Sequence, residues 1–313
     1  MRNCKSSIRC FLSLLVFATA LFGFGRVSRE EIRHHFLILS SGDMKYCEHL
    51  DKSKKRLSKG GRESIEVAIE YIGRQSTRKK MAIEWIAEGV GEDAVEPLTY
   101  VLTLPAEDDA AFAAYLLGVI GSPKAAVPLM LSAQSNSHKI RSASISALGN
   151  CGDTSAVPLL VAALSDSSPE IRRVAAISLG KIGNESSVKS IAKLLSDRSA
   201  DVRYAASYAI AGIGGEEAEK LLVDKLKVNS LGELERYHVI ETLGQLQSED
   251  ALPVLFELLD DPYYLNRGFA CQALGYYRGN YNVANALKQS LHDASGFVRM
   301  MAEEALQSIR NEQ

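Results

Sequence analysis

Apolar and small residues recur along this chain with two periods, one of a helical turn and one of about thirty residues. In the stretch opening at Ile140 they occupy the first, fourth, fifth, eighth, ninth and twelfth positions, as Ile140, Ala143, Ser144, Ala147, Leu148 and Cys151. The stretch opening at Val202 repeats them as Val202, Ala205, Ala206, Ala209, Ile210 and Ile213. That spacing is the buried stripe of an amphipathic helix, not the alternation of a strand. The same phase returns with starts near 79, 109, 140, 171, 202, 235, 266 and 298, spaced by 30 to 33 residues.

The punctuation agrees with the stripe. Gly91, Gly121, Gly152, Gly183 and Gly214 follow five consecutive copies, where a helix C-terminus favours a left-handed residue. A second helix opens five or six residues later, through Pro97, Pro128, Pro158 or Pro253 in its first turn, where proline's missing N–H breaks no bond. The remaining prolines, Pro105, Pro123, Pro169 and Pro262, fall between predicted helices. Two short amphipathic helices cannot bury their faces alone, so successive pairs must stack on one another. The pattern predicts an all-α fold, an α-solenoid of about eight repeats of 30–33 residues over 64–313.

The order Val/Ile-Arg, then Ala-Leu-Gly-x-x-Gly, then Val-Pro-Leu-Leu resembles the HEAT family, and within it the short HEAT-like repeats of phycobilisome lyases. The resemblance covers residues 64–310. It implies a superhelical stack of helix pairs, but the family includes scaffolds, adaptors, chromophore lyases and a metal-dependent hydroxylase, so fold alone does not choose a function.

Residues 1–25 carry Arg2, Lys5 and Arg9 ahead of an apolar run and the small residues Ala18-Thr19-Ala20, the layout of a signal peptide or an N-terminal anchor. Export to a periplasmic or extracellular space is expected, or tethering to a membrane if the segment is not cleaved. In residues 26–63, Ser28 to Glu31 reads as a capping box opening a helix. The basic run from Lys52 to Arg62, ending in Gly60-Gly61-Arg62, reads as a solvated linker. The net charge is −2, with a basic N-terminal quarter before an acidic body. Nucleic acid is therefore not an expected partner, and a membrane is expected only through the N-terminal segment.

No phosphate loop, nucleophile elbow or paired-carboxylate motif occurs, so neither catalytic residues nor a cofactor are implied. The hydroxylase of the resembled family uses His-Glu pairs as metal ligands; this chain has no such dipeptide, and His34, His35, His49, His138, His238 and His292 are scattered. Cys47, Cys151 and Cys271 lack disulfide or metal spacing, and the last two fall on the buried stripe.

Two columns remain. Arg stands at the second position of six copies, as Arg141, Arg172, Arg203, Arg236, Arg267 and Arg299. A cation there opposes the helix dipole and needs a compensating partner. Asp166, Asp197, Asp261 and Asp293 each precede an Arg of the column by six residues; the resemblance implies an Asp–Arg ladder between repeats, with an anion-binding ridge as the other reading. At the third and seventh positions, outside the stripe, stand Tyr115, Arg173, Ile177, Tyr204, Tyr208 and Tyr237. On a concave face these would form a partner-binding row; the competing role is to cover seams between repeats. Tyr263, Tyr264, Tyr276, Tyr277 and Tyr281 form a further cluster suited to sealing the C-terminal end. The sequence thus suggests a scaffold or adaptor holding a protein or peptide, with a bilin-lyase-like enzyme or lyase subunit as the alternative.

Overall fold

The computed structural model describes residues 27–41, 44–73, 76–227 and 231–310. Residues 1–25, with the predicted signal or anchor, lie outside them. Among the described residues the secondary structure is entirely helical, and no helix is long and apolar enough to cross a membrane. The chain divides into two compact units, one ending at Ala147 and one beginning at Leu148.

In the first unit, α1 (Arg29–Ser41) starts where the Ser28 hydroxyl accepts the Glu31 N–H at 3.2 Å. Its Ile32 and Phe36 are fully buried, and Phe36 packs on Tyr71 with ring centroids 4.7 Å apart. The Glu31 carboxylate is engaged with Arg56 at 3.2 Å. The basic run expected as a linker is instead helical: α2 (Leu50–Gly60) buries Ser53 and Leu57, which lie four residues apart on one face. Ser53 pairs its hydroxyl with Nδ1 of buried His35 at 3.0 Å. Its cations occupy the other faces, Lys54 over the Trp85 ring among them, so the charges that suggested a solvated linker are the outer surface of a packed helix. Gly61, at φ 52°, turns the chain into α3 (Arg62–Ile69). Then come α4 (Thr77–Val90), α5 (Val95–Leu102), α6 (Glu107–Ile120), α7 (Ala126–Ser132) and the start of α8 (His138–Cys151).

The second unit holds the end of α8, then α9 (Val157–Ala163), α10 (Pro169–Ile182), α11 (Val188–Ile191), α12 (Ala200–Ile213), α13 (Glu216–Leu226), α14 (Glu233–Leu246), α15 (Leu252–Glu257), α16 (Tyr264–Leu274), α17 (Tyr281–Ser290) and α18 (Gly296–Arg310). Each of the eight phased copies lies on a helix that begins two residues before the copy's start, from α4 to α18. Pro169 is the first residue of α10, not part of a linker.

Helices α10, α12, α14, α16 and α18 pack each on the next. At the α10–α12 and α14–α16 crossings the backbones approach closely because glycine stands there. A methyl group on Gly180 would lie 2.8 Å from Cα of Ala209, and one on Gly244 would lie 2.7 Å from Cα of Ala273. Such spacings exclude any larger residue without moving a helix. Gly180 therefore sets helix-to-helix distance, while Gly183, three residues on, ends the helix at φ 71°. After α14 the terminating position is taken by Gln247, which holds φ 51° with a side chain.

Candidate functional site

The Arg column sits in the first turn of the repeat helices and serves two sides at once. Nη1 of Arg172 donates to the carbonyls of Asp166 and Ser167 at 2.9 and 3.1 Å. Arg141, Arg203, Arg267 and Arg299 likewise clamp the carbonyls six and five residues behind them. The rest of the guanidinium faces the following repeat. Arg172 meets the Asp197 carboxylate through Nε at 2.7 Å and Nη2 at 2.9 Å, and Arg267 meets Asp293 at 2.8 and 2.9 Å. These are bidentate, charge-assisted bonds.

The aspartates have a second task, since Oδ1 of Asp166, Asp197, Asp261 and Asp293 each accepts the N–H two residues on. Each aspartate thus shapes the loop before its helix, and Asp197 and Asp293 also accept the preceding repeat's Arg. The Arg hydrogen bonds hold the Asp197 and Asp293 carboxyls below the usual carboxylate range, with burial opposing them. The partner that the first-turn cation needed is therefore a loop carbonyl pair and a carboxylate of the next repeat.

Two rungs differ. Nε of Arg203 donates to Nε2 of His238 at 3.1 Å. That nitrogen must then carry a lone pair, so the ring proton sits on Nδ1 and points at Oε2 of Glu241, 3.2 Å away. The buried ring is thus held between a cation and an anion, with both nitrogens engaged. Arg236 makes no ion pair with any described residue, and the carboxylate of Asp261, which stands where its partner would be, accepts only the Tyr263 N–H among the described residues.

The candidate partner-binding row separates into distinct environments. On α12, Tyr204 and Tyr208 are 59% and 62% exposed; being four residues apart, they share one face of the helix. Neither hydroxyl has a hydrogen-bond partner among the described residues. Arg173 and Ile177 hold the equivalent positions on α10 and are half-buried.

Tyr237 does not join the exposed pair. It is half-buried, its ring 4.5 Å from that of Phe269 and 4.8 Å from that of His238, and burial pushes its phenol up. The large Phe269 of the next repeat covers it, so this ring fills a seam. In the first unit, Tyr115 stacks on Phe112 and donates to Glu84 at 2.6 Å.

The remaining tyrosines are mostly engaged. Tyr277 is buried and donates to the Ser248 carbonyl at 2.9 Å, and Tyr263 donates to Glu233, whereas Tyr281 is exposed. Cys151 and Cys271 are buried free thiols, each pushed up to about 11 by desolvation. Among the described residues, no three His, Cys, Asp or Glu side chains converge as metal ligands.

A family model described as HEAT repeats matches residues 127–211 and 188–268. Similar solved structures include Escherichia coli YibA, 18% identical over 83% of this chain and 96% of that one, with a TM-score of 0.48. Human deoxyhypusine hydroxylase in complex with glycerol is 22% identical over 80% of this chain and 98% of its own, with a TM-score of 0.36. A designed armadillo repeat protein is 20% identical over 69% and 100%, with a TM-score of 0.35. No curated protein matches the sequence. The match makes residues 127–268 a run of HEAT repeats, and helix pairs of the same phase continue through α18.

Proposed function

We propose that this HEAT-repeat chain works as a scaffold that holds a protein or peptide partner against the face of the second unit carrying Tyr204 and Tyr208. The observation that supports this most is the contrast among tyrosines. Tyr115, Tyr263 and Tyr277 spend their hydroxyls on partners within the fold. Tyr204 and Tyr208 present two adjacent rings to solvent from a helix otherwise locked by its buried alanines and isoleucine. Rings on a rigid helix lose little conformational freedom on binding, and tyrosine is enriched among residues that dominate interface energy. Arg173 and Ile177 on α10 extend the same face with a cation and an aliphatic side chain. Export belongs to the proposal as well: a cleaved or anchored N-terminus would place this surface outside the cytoplasm.

The test compares partner affinity of the full chain with that of Tyr204→Ala/Tyr208→Ala and of Tyr237→Ala. Two lost interface anchors cost about 2 kcal/mol or more, roughly a 30-fold rise in Kd. Tyr237→Ala should lower stability and leave affinity near wild type. Equal affinity for the double variant and wild type would remove the α12 face from the proposal.

A further inference from the structure

The ladder is closed at Arg172–Asp197 and at Arg267–Asp293, yet the rung between them, Arg236 and Asp261, stands open. A cleft of about 270 Å³ occupies that place, lined by both residues and by Glu233, Tyr263, Asn266, Leu265 and Phe269. Four polar groups converge on it. Arg236 is half-buried as a residue and makes no ion pair with a described residue. Asp261 uses Oδ1 to accept the Tyr263 N–H at 2.8 Å, and its Oδ2 has no partner among the described residues. Glu233 accepts the Tyr263 hydroxyl through one oxygen. Asn266 is only 7% exposed, lines the cleft, and its carboxamide has no hydrogen-bond partner among the described residues, so its donors and acceptor are available to a ligand there.

Charge decides what fits. A simple anion would meet Arg236 but also two carboxylates, and a simple cation would satisfy the carboxylates while leaving Arg236 unanswered. A ligand with a carboxylate and an ammonium on one carbon satisfies both, and the aliphatic and aromatic walls of Leu265 and Phe269 suit an apolar side chain beside them. The volume lies just below the usual range for drug-sized ligands and matches a small metabolite.

We propose that the open rung binds a free α-amino acid with an apolar side chain. Its carboxylate is held by Arg236 and the Asn266 amide, and its ammonium by Asp261 and Glu233. The ligand thereby takes the place of the missing inter-repeat ion pair between α14 and α16.

Calorimetric titration of the full chain with L-leucine and L-phenylalanine tests this, against isovalerate (no ammonium) and isoamylamine (no carboxylate). At least one amino acid should bind about 10-fold or more tightly than either half-ligand, the loss of one charge-paired contact. Arg236→Gln and Asp261→Asn should each weaken that binding by a similar factor. The asparagine keeps an oxygen for the Tyr263 N–H, so the loop survives that change. No binding of either amino acid at 10 mM (roughly a −2.7 kcal/mol threshold), equal binding of isovalerate, or unchanged affinity in both variants would overturn the proposal.

Discussion

Replacing Gly180 by alanine probes the tightest feature of the second unit. The added methyl would sit 2.8 Å from Cα and 2.9 Å from Cβ of Ala209, where ordinary carbon contacts need about 3.5 Å or more. The obstructing atoms are backbone and a side chain with no rotamer, so α10 and α12 must part by several tenths of an ångström. Overpacking of this kind costs about 1–3 kcal/mol, and a backbone obstacle places it near the upper end. Alanine returns about 1 kcal/mol of helix propensity, leaving a net loss of roughly 2 kcal/mol.

Gly212, in α12, is the matched control, because nothing lies within 4 Å of its added methyl. Gly212→Ala should stabilise by up to about 1 kcal/mol. Thermal melting followed by far-ultraviolet circular dichroism reads both, at roughly 2–4 °C per kcal/mol for a chain of this order of size. Gly180→Ala should melt several degrees lower and Gly212→Ala slightly higher. If both variants melt higher by the same amount, the close approach of the two helices is wrong.

Other expectations follow from single contacts. Gln247→Gly removes a side chain from a left-handed backbone and should raise stability by about 1 kcal/mol, read by urea denaturation. Arg172→Met and Arg267→Met each strip a partly buried aspartate of its partner and should destabilise by roughly 2–4 kcal/mol near neutral pH. Because the folded Asp197 and Asp293 titrate below their unfolded values, the ladder's contribution is full above about pH 4–5 and fades as pH falls through the folded values. The stability gap between wild type and either variant should therefore shrink in acid; a gap that widens below pH 4 contradicts the ladder. Cys151 and Cys271, buried and poorly ionised, should resist a thiol-specific disulfide reagent in the native protein at pH 8 and react only on unfolding.

The repeat was legible because its signals are local. Stripe, terminating glycine and first-turn proline lie within one helix pair, and every phased copy falls on a helix. Less legible was anything decided by the neighbouring repeat. Tyr204 and Tyr237 occupy the same position in their copies, yet only the second has a phenylalanine of the next helix laid over it. The Arg–Asp spacing of six residues marked the right partners but concealed that the carbonyl, not the carboxylate, of the same-repeat aspartate receives the arginine. The run from Lys52 to Arg62 looked like a linker because its charges outnumber its apolar residues; Leu57 and Ser53, on one face, were enough to pack it. Gly180 and Gly183 look alike in the sequence, and only the position of α12 tells a spacing residue from a terminating one.

The most direct test of the binding face is site-specific photocrosslinking in the native cell, with a photoreactive phenylalanine derivative placed singly at Tyr204, Tyr208 or Tyr237. The account predicts one discrete adduct, of the same mass, from positions 204 and 208, and none from 237. Adducts absent from 204 and 208, or formed equally at the covered position 237, would contradict it.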